Sequence, residues 1–494
     1  MKFYVTTQIY DAASRPSIES IYRAVLGDAI ARHKRMCGFE VVHLIGTNTP
    51  GPHAGAISAF ATQNVEAHQD ILRHLDVYAT HFISLDSGGH THAVQALLRR
   101  TLRRSRQAIY KGKYEGRYCG YDRIDVSRST EPINCPRCGR ATTMISEQRY
   151  FFRLSAFRDR LLALYKNEPE FIQPQARFEE IEHVVRKGLA DIAMSTTSTA
   201  EGIAWPGDSE HVVGNLYSEL IAYLSGIGFA QNGYASEEFQ QCWPADLHVT
   251  GLSGLRPHAI YWPALLMAAE LPLPRRIFAH AALHAESQDS ATELLRQAVA
   301  NDFGSDAVRY YLLRWVRYVK DSRVEPRAVA THYQRDLAGG LEDLTKRALS
   351  AARQYCEGRV PSPSLRPKSK QDIEICVADL RAEVRILLDA QNFTDALAKI
   401  WSLIAKIETR LSDALAPEES QDSADARRVS DAVHDACEGI AWLGLLLNPI
   451  LPRLAAAIWK ALGQTTQLEN QLIDEIPWSC LMPGTPLGNF AQHG

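Results

Sequence analysis

The first 46 residues read as strand, helix, strand, and that order leaves a chain few ways to fold. Residues 2–7 (KFYVTT) alternate as a strand. Ser17 is a residue type that caps a helix. Ile18, Ile21, Tyr22, Val25, Leu26, Ala29, Ile30 and His33 follow at the i, i+3, i+4, i+7 spacing of one buried face, which predicts a helix to about Met36. Residues 40–45 (EVVHLI) read as a buried strand ending at Gly46. Such an opening predicts an α/β fold with a doubly wound parallel sheet. Ligands of such sheets sit at the carboxyl ends of the strands, so residues 8–20 and 46–53 are expected at the mouth of a site.

The 494 residues exceed one ordinary domain. Residues 1–109 and 151–315 read as two halves of the α/β domain. Between them, residues 110–150 are rich in Tyr, Gly, Cys and Arg and read as an inserted loop-rich module. Residues 316–465 are almost wholly of helical period, predicting an α-helical bundle, and 466–494 form a Pro/Gly-rich tail. No run of about 18 apolar residues predicts a membrane span, and the N-terminus lacks the apolar stretch of a signal peptide. Nine cysteines spread over this length make no disulfide framework, which favours the reducing cytosol. With a net charge of −3, any nucleic-acid contact must come from a local patch.

Several ordered segments carry a family resemblance. They include residues 3–7 (FYVTT), 109–116 (IYKGKYEG), 150–155 (YFFRLS), 261–264 (YWPA), 271–274 (LPLP) and 306–314 (DAVRYYLLR). Together they resemble class I methionyl-tRNA synthetases. The resemblance implies a Rossmann-like catalytic domain, an inserted zinc-knuckle module and a helical anticodon-binding domain. In that family His-Ile-Gly-His grips ATP; here the positions are Ser17, Ile18, Glu19 and Ser20. The implied activity is ATP-dependent activation of methionine and its transfer to tRNA. That chemistry needs donors facing the α-phosphate. A carboxylate about 4 Å from a phosphate costs on the order of 4 kcal/mol at an intermediate dielectric, so Glu19 argues against ATP binding. The family's lysine-bearing nucleotide loop corresponds to residues 281–290, which hold no lysine. No catalytic residue is therefore assigned.

The resemblance places the substrate pocket at Ile9, Asp11, Asn48, Leu216, Ser253 and His258. Ile9 and His258 match the family, whereas Asn48 replaces an aspartate, Asp11 a tyrosine and Leu216 a tryptophan. In the module, Cys119, Cys135 and Cys138, with Asp122 as an oxygen ligand, suit a structural zinc; a knuckle folded without metal stands beside that reading. In the helical domain Arg347 matches an arginine of the family, while Glu418 replaces a base-stacking tryptophan. Arg99, Arg100, Arg103, Arg104, Arg106, Lys111 and Lys113 crowd one segment, either as a solvated helix face or as a contact for tRNA or other RNA. These features predict a synthetase-like chain that has lost methionine activation and acts by binding RNA or a protein partner. Two alternatives stand beside it: a working, divergent methionine–tRNA ligase, and a fold repurposed for another amino acid or small molecule.

Overall fold

The computed structural model describes residues 1–48, 56–120, 124–128, 131–136, 138–197, 202–230, 235–285, 290–300, 304–364, 372–416 and 423–490. Its first elements are β1 (Lys2–Thr7), β2 (Tyr10–Asp11), α1 (Ile18–Met36), β3 (Glu40–Asn48), α2 (Ala56–His74), β4 (His81–Ser84) and α3 (Gly88–Arg104). β1 pairs with β3 on one side (Lys2↔Glu40 through Thr6↔Leu44). On the other it pairs with Leu247–Thr250 (Val5↔Leu247 through Thr7↔Val249). Ile277–Ala279 and Ile172–Gln173 extend the sheet beyond, and β2 and β4 both pair with β3. Every pairing is parallel, as expected of a doubly wound sheet. β1 lies where the strand order reverses, so its carboxyl end opens on the crevice in which such folds bind ligands.

α1 begins and ends where its cap and periodicity predict. Its burial differs from the one-faced pattern. Ser20, Arg23, Ala24, Gly27, Asp28 and Ala31 are buried as well as the predicted apolar face, because sheet and helical domain enclose the helix together. The helix comes close enough to the sheet at Gly27 that a Cβ there would meet Thr7 Cγ2 at 2.8 Å and His43 Nε2 at 2.9 Å. Asp28, fully buried, receives Arg309 Nη2 at 2.7 Å, Arg32 Nε at 2.8 Å and the Tyr78 N–H at 2.9 Å. Burial alone would raise its pKa, but Arg309, Arg32 and the Tyr78 N–H outweigh it and hold the carboxyl below its usual range.

Ile109–Cys119 and Thr143–Phe152 form a long antiparallel hairpin, from Ile109↔Phe152 to Tyr118↔Thr143, flanked by Ile124–Ser127 and Ile192–Ala193. From Asp343 onward the described elements are helices: Asp343–Tyr355, Ile373–Asp389, Phe393–Leu415, Ser423–Leu447 and Pro452–Ala461. Among the described residues no helix is long and apolar enough to cross a membrane, and none of the nine cysteines forms a disulfide.

The tail folds back on this bundle. The Ile473 N–H donates to the Met36 carbonyl, and Trp442 Nε1 donates to the Trp478 carbonyl. Fully buried Glu438 accepts the Cys480 N–H at 3.0 Å, the Leu481 N–H at 3.1 Å and the Cys480 thiol at 3.3 Å. Burial nevertheless pushes its carboxyl up to about 7, the hydrogen bonds opposing that rise only in part. The folded state thus binds a proton that the unfolded state has released between pH about 4.5 and 7. Stability is therefore expected to fall across that window as pH rises, by on the order of 2 kcal/mol, since the tail can peel away and wet the carboxylate. Thermal melts from pH 4.5 to 8 check this, and Glu438→Gln should flatten the profile.

Candidate active-site crevice

The crevice at the carboxyl end of β1 is closed at the start of α1 by the chain itself. Ser17 Oγ accepts the Ser20 N–H at 3.2 Å, and Ser20 Oγ accepts the Ser17 N–H at 3.0 Å. The two serines thus form a reciprocal capping box and satisfy helix-start donors internally. Beside them, Glu19 Oε1 accepts the Leu283 N–H at 3.2 Å. Its Oε2 stands 3.9 Å from Arg23 Nη1. Burial lowers the Arg23 pKa, partly offset by Glu19. Leu283 belongs to Leu283–Ala285, which pairs with Ser322–Val324. Residues 286–289 of the lysine-free segment lie outside the described residues.

Of the residues expected at the pocket, Ile9, Asp11, Asn48, Ser253 and His258 lie just after β1, at the end of β3 and just after Leu247–Thr250, whereas Leu216 lines a separate cavity. β2 pairs with the end of β3 (Tyr10↔Thr47, Asp11↔Asn48), which brings Asp11 beside Asn48. Asp11 Oδ1 accepts the Ala13 N–H at 3.0 Å. Asn48 Nδ2 donates to Glu219 Oε1 at 2.7 Å, so the amide is held by a carboxylate across the crevice. Ile9 is buried. Ser253 Oγ accepts from Gln8 Nε2 at 3.4 Å. His258 is buried; its Nδ1 donates to the Gly254 carbonyl at 2.7 Å and its Nε2 accepts the Tyr223 hydroxyl at 2.7 Å. Burial and then Arg23 push it down to about 4, so it is a neutral imidazole. Leu216, in the first turn of Asn215–Ser225, is partly exposed and lines a cavity of about 20 Å³ with Met194, Tyr217 and Tyr261.

Comparison with known proteins decides the family. A family model described as "tRNA synthetases class I (M)" matches residues 3–144 and 134–349. The methionine–tRNA ligase of Mycobacterium tuberculosis strain H37Rv is 34% identical over 514 residues, spanning 99% of this chain and 98% of that protein. That of Caldanaerobacter subterraneus subsp. tengcongensis is 31% identical over 496 residues, spanning 98% of this chain and 77% of its own length. The crystal structure of M. tuberculosis methionyl-tRNA synthetase bound by methionyl-adenylate superposes with a TM-score of 0.90 at 32% identity, covering 100% of both chains. The chain belongs to the class I methionyl-tRNA synthetase family.

The remaining candidate residues lie outside the synthetase crevice. Cys119, at the end of one hairpin strand, meets Cys135 and Cys138 so that all three sulfurs lie within 4.8 Å of one another. The Cys119 and Cys138 sulfurs are 3.6 Å apart, far beyond a disulfide bond and close to the roughly 3.8 Å separating two thiolates on a tetrahedral zinc. A tight turn positions the other two: the Cys135 N–H donates to Arg140 O, and the Gly139 N–H to Cys135 O. The donor set suits zinc. Asp122 lies outside the described residues.

α3 carries the basic stretch of this synthetase-like chain. Val94, Leu97 and Leu98 face the core. Arg100 is half-buried, and its guanidinium caps the Ala269 and Glu270 carbonyls. Arg104 pairs with Glu270 at 3.2 Å, Lys111 with Asp208 at 3.0 Å and Lys113 with Glu115 at 2.5 Å. Arg99 and Arg103 are exposed, Arg99 donating to Gln95 Oε1 at 3.3 Å. Arg347 in the helical domain sits between two carboxylates, Asp343 at 2.9 Å and Glu408 at 2.7 Å. Glu418 lies outside the described residues. Arg23, Glu219 and His280 complete the crevice without having been marked as site residues in the sequence. Arg23 carries a local signal, an arginine set within the apolar run of α1; Glu219 and His280 carry none.

Proposed function

We propose that this member of the methionyl-tRNA synthetase family has given up ATP-dependent methionine activation and is kept for binding, with tRNA as its macromolecular ligand. The observation that carries this is Glu19, whose carboxylate is bonded to the Leu283 N–H at the start of α1. An anion held there opposes the phosphate charge that activation must stabilise. Losing even one oriented donor typically costs about 10²–10³ in rate. Methionine-dependent ATP–pyrophosphate exchange is therefore expected at least about 10²-fold below that of a working relative. Exchange at the relative's rate would overturn the reading. Binding of tRNA is expected to weaken as salt rises, and to weaken further in the Arg99→Ala, Arg103→Ala double variant. No change in that variant counts against α3 as the contact.

A second reading, in which the crevice takes a different small molecule, is favoured by the buried Arg23 guanidinium, whose Nε and Nη1 have no hydrogen-bond partner. The inserted module is proposed to hold one zinc through Cys119, Cys135 and Cys138, with Asp122 as fourth ligand; the ion would supply cross-linking of the knuckle, not chemistry. Elemental analysis should find about one zinc per chain, lost in Cys135→Ser, with local unfolding of residues 119–142 seen by hydrogen exchange.

A further inference from the structure

Two polar pairs bridge the helices Ile373–Asp389 and Phe393–Leu415. Lys399 Nζ donates to Glu383 Oε2 at 2.8 Å, and Lys406 Nζ donates to Cys376 Sγ at 3.3 Å. Lys406 lies seven residues beyond Lys399, and Cys376 lies seven before Glu383. The pairing therefore runs in opposite directions along the two helices, which are antiparallel. Seven residues are close to two turns, so both pairs sit on the same face of each helix. Cys376 thus occupies the place that a carboxylate holds in the equivalent pair. Packing fixes the register behind the contact. Ile373, three residues before Cys376, and Ile407, next to Lys406, are both buried against Gly439 of Ser423–Leu447. A Cβ on Gly439 would meet Ile407 Cδ1 at 2.6 Å and Ile373 Cγ2 at 3.1 Å, so this glycine lets both helices close on the third.

The other cysteines are placed differently. Cys119, Cys135 and Cys138 form the knuckle cluster. Burial pushes the thiols of Cys37, Cys242, Cys356, Cys437 and Cys480 up, that of Cys437 to about 12, which disfavours their thiolates. Cys376 is half-buried, within reach of a small solute, and carries an ammonium on its sulfur. That ammonium can balance charge on the sulfur as it attacks an electrophile, and can hand a proton to the group that leaves. The Cys376 N–H is already bonded to the Asp372 carbonyl at 3.1 Å, so the backbone is not available to trap an oxidised sulfur. The lysine nitrogen is in place to do so.

We propose that Cys376 and Lys406 form a peroxide-responsive pair that cross-links the helices Ile373–Asp389 and Phe393–Leu415 through a sulfur–nitrogen bond. Hydrogen peroxide is the oxidant. In the first step the Cys376 thiolate attacks one peroxide oxygen. An S–O bond forms, the O–O bond breaks, and the leaving hydroxide takes a proton from the Lys406 ammonium, giving a sulfenic acid, water and a neutral amine. In the second step the amine nitrogen attacks that sulfur. The S–N bond forms, the S–O bond breaks, and the leaving hydroxide takes a proton from the nitrogen and departs as water. One peroxide is thereby reduced to two waters, and the pair gives up two electrons. Two equivalents of a small thiol reverse the bond: the first opens it to a mixed disulfide and frees the amine, and the second frees the Cys376 thiol. The flexible four-carbon stem of lysine lets the nitrogen close on the sulfur while the helices keep their register. This chemistry is independent of what the crevice binds.

Peptide mapping of the full chain after treatment with hydrogen peroxide tests it. A pair of peptides joined through Cys376 and Lys406 is expected, lighter than the two separate peptides by two hydrogens, and dithiothreitol should separate them. Cys376 should be consumed at least about tenfold faster than Cys437, whose thiolate burial disfavours. Lys406→Gln should abolish the joined pair and leave Cys376 as a sulfenic acid that dimedone captures. Lys399→Gln, which breaks the equivalent ion pair, should leave the yield unchanged. The peroxide-treated wild type should also melt at a higher temperature than peroxide-treated Cys376→Ser, because the bond restricts the unfolded chain. Three results would each overturn the proposal: oxidised Cys376 without any joined peptide, an equal yield of joined peptide from Lys406→Gln, or consumption of Cys376 no faster than that of Cys437.

Discussion

Asp28→Ala is expected to destabilise the protein by about 3–5 kcal/mol, the cost of leaving a buried charge without its partner. Arg309 is fully buried and, besides Asp28, donates to the Ile450, Leu75 and Pro449 carbonyls at 2.8, 3.1 and 3.0 Å. One guanidinium thereby joins α1, the segment after α2, the helix Gly304–Trp315 and the turn before Pro452–Ala461. Removing Asp28 strands Arg309 and also releases the bonds from Arg32 and the Tyr78 N–H. The double variant Asp28→Ala, Arg309→Met should cost less than the sum of the two single changes, because no charge is then stranded. Chemical denaturation of the four proteins measures the difference. Strict additivity would mean that the pair is not coupled. Because charge on Asp28 stabilises the fold, its contribution is present above the unfolded carboxylate range and is lost as pH falls below it.

The second large effect is expected at Glu19. Glu19→Gln keeps an oxygen that can accept the Leu283 N–H but removes the charge from the start of α1. At an effective dielectric near 20, a full charge about 4 Å from a phosphate is worth on the order of 4 kcal/mol. The Glu19 side chain is 30% exposed, so solvent screens part of that. ATP should therefore bind about a hundredfold more tightly to Glu19→Gln than to the wild type. Methionine activation should not return in step, because Ser17 and Ser20 still spend their hydroxyls on each other. Calorimetry with ATP and the exchange assay separate these outcomes. Unchanged ATP affinity would show that Glu19 is not what keeps the nucleotide out.

What could be read from the sequence was what depends on near neighbours. α1 was legible because Ser17 sits just before a run of correctly spaced apolar residues, and capping and periodicity are both local. β1 and β3 were legible for the same reason, and the ordered run of matching segments carried the family. Ser20 was harder: its position marks a family histidine, but only the folded backbone shows its hydroxyl closing the capping box with Ser17. The cysteines suggested a knuckle, and their approach to within 4.8 Å required the hairpin to form. In the basic stretch, composition could not distinguish Arg100, which caps carbonyls of Ala269 and Glu270, from exposed Arg103.

The sequence by itself determined the ancestry, the doubly wound sheet, the start of α1 and the loss of both histidines from the nucleotide signature. Tertiary structure alone decided that Arg23 is buried. Helical period places it off the apolar face, and it becomes enclosed only because sheet, returning strand and bundle close around α1 from several directions. It also decided that Glu19 meets Leu283, that Asn48 meets Glu219, and that Arg23 and His280 converge over Gly251. Those partners are 264, 171 and 257 residues apart in the chain. Propensity and pattern act over a few residues, whereas a site at the mouth of a parallel sheet is assembled from strands brought together by long crossovers.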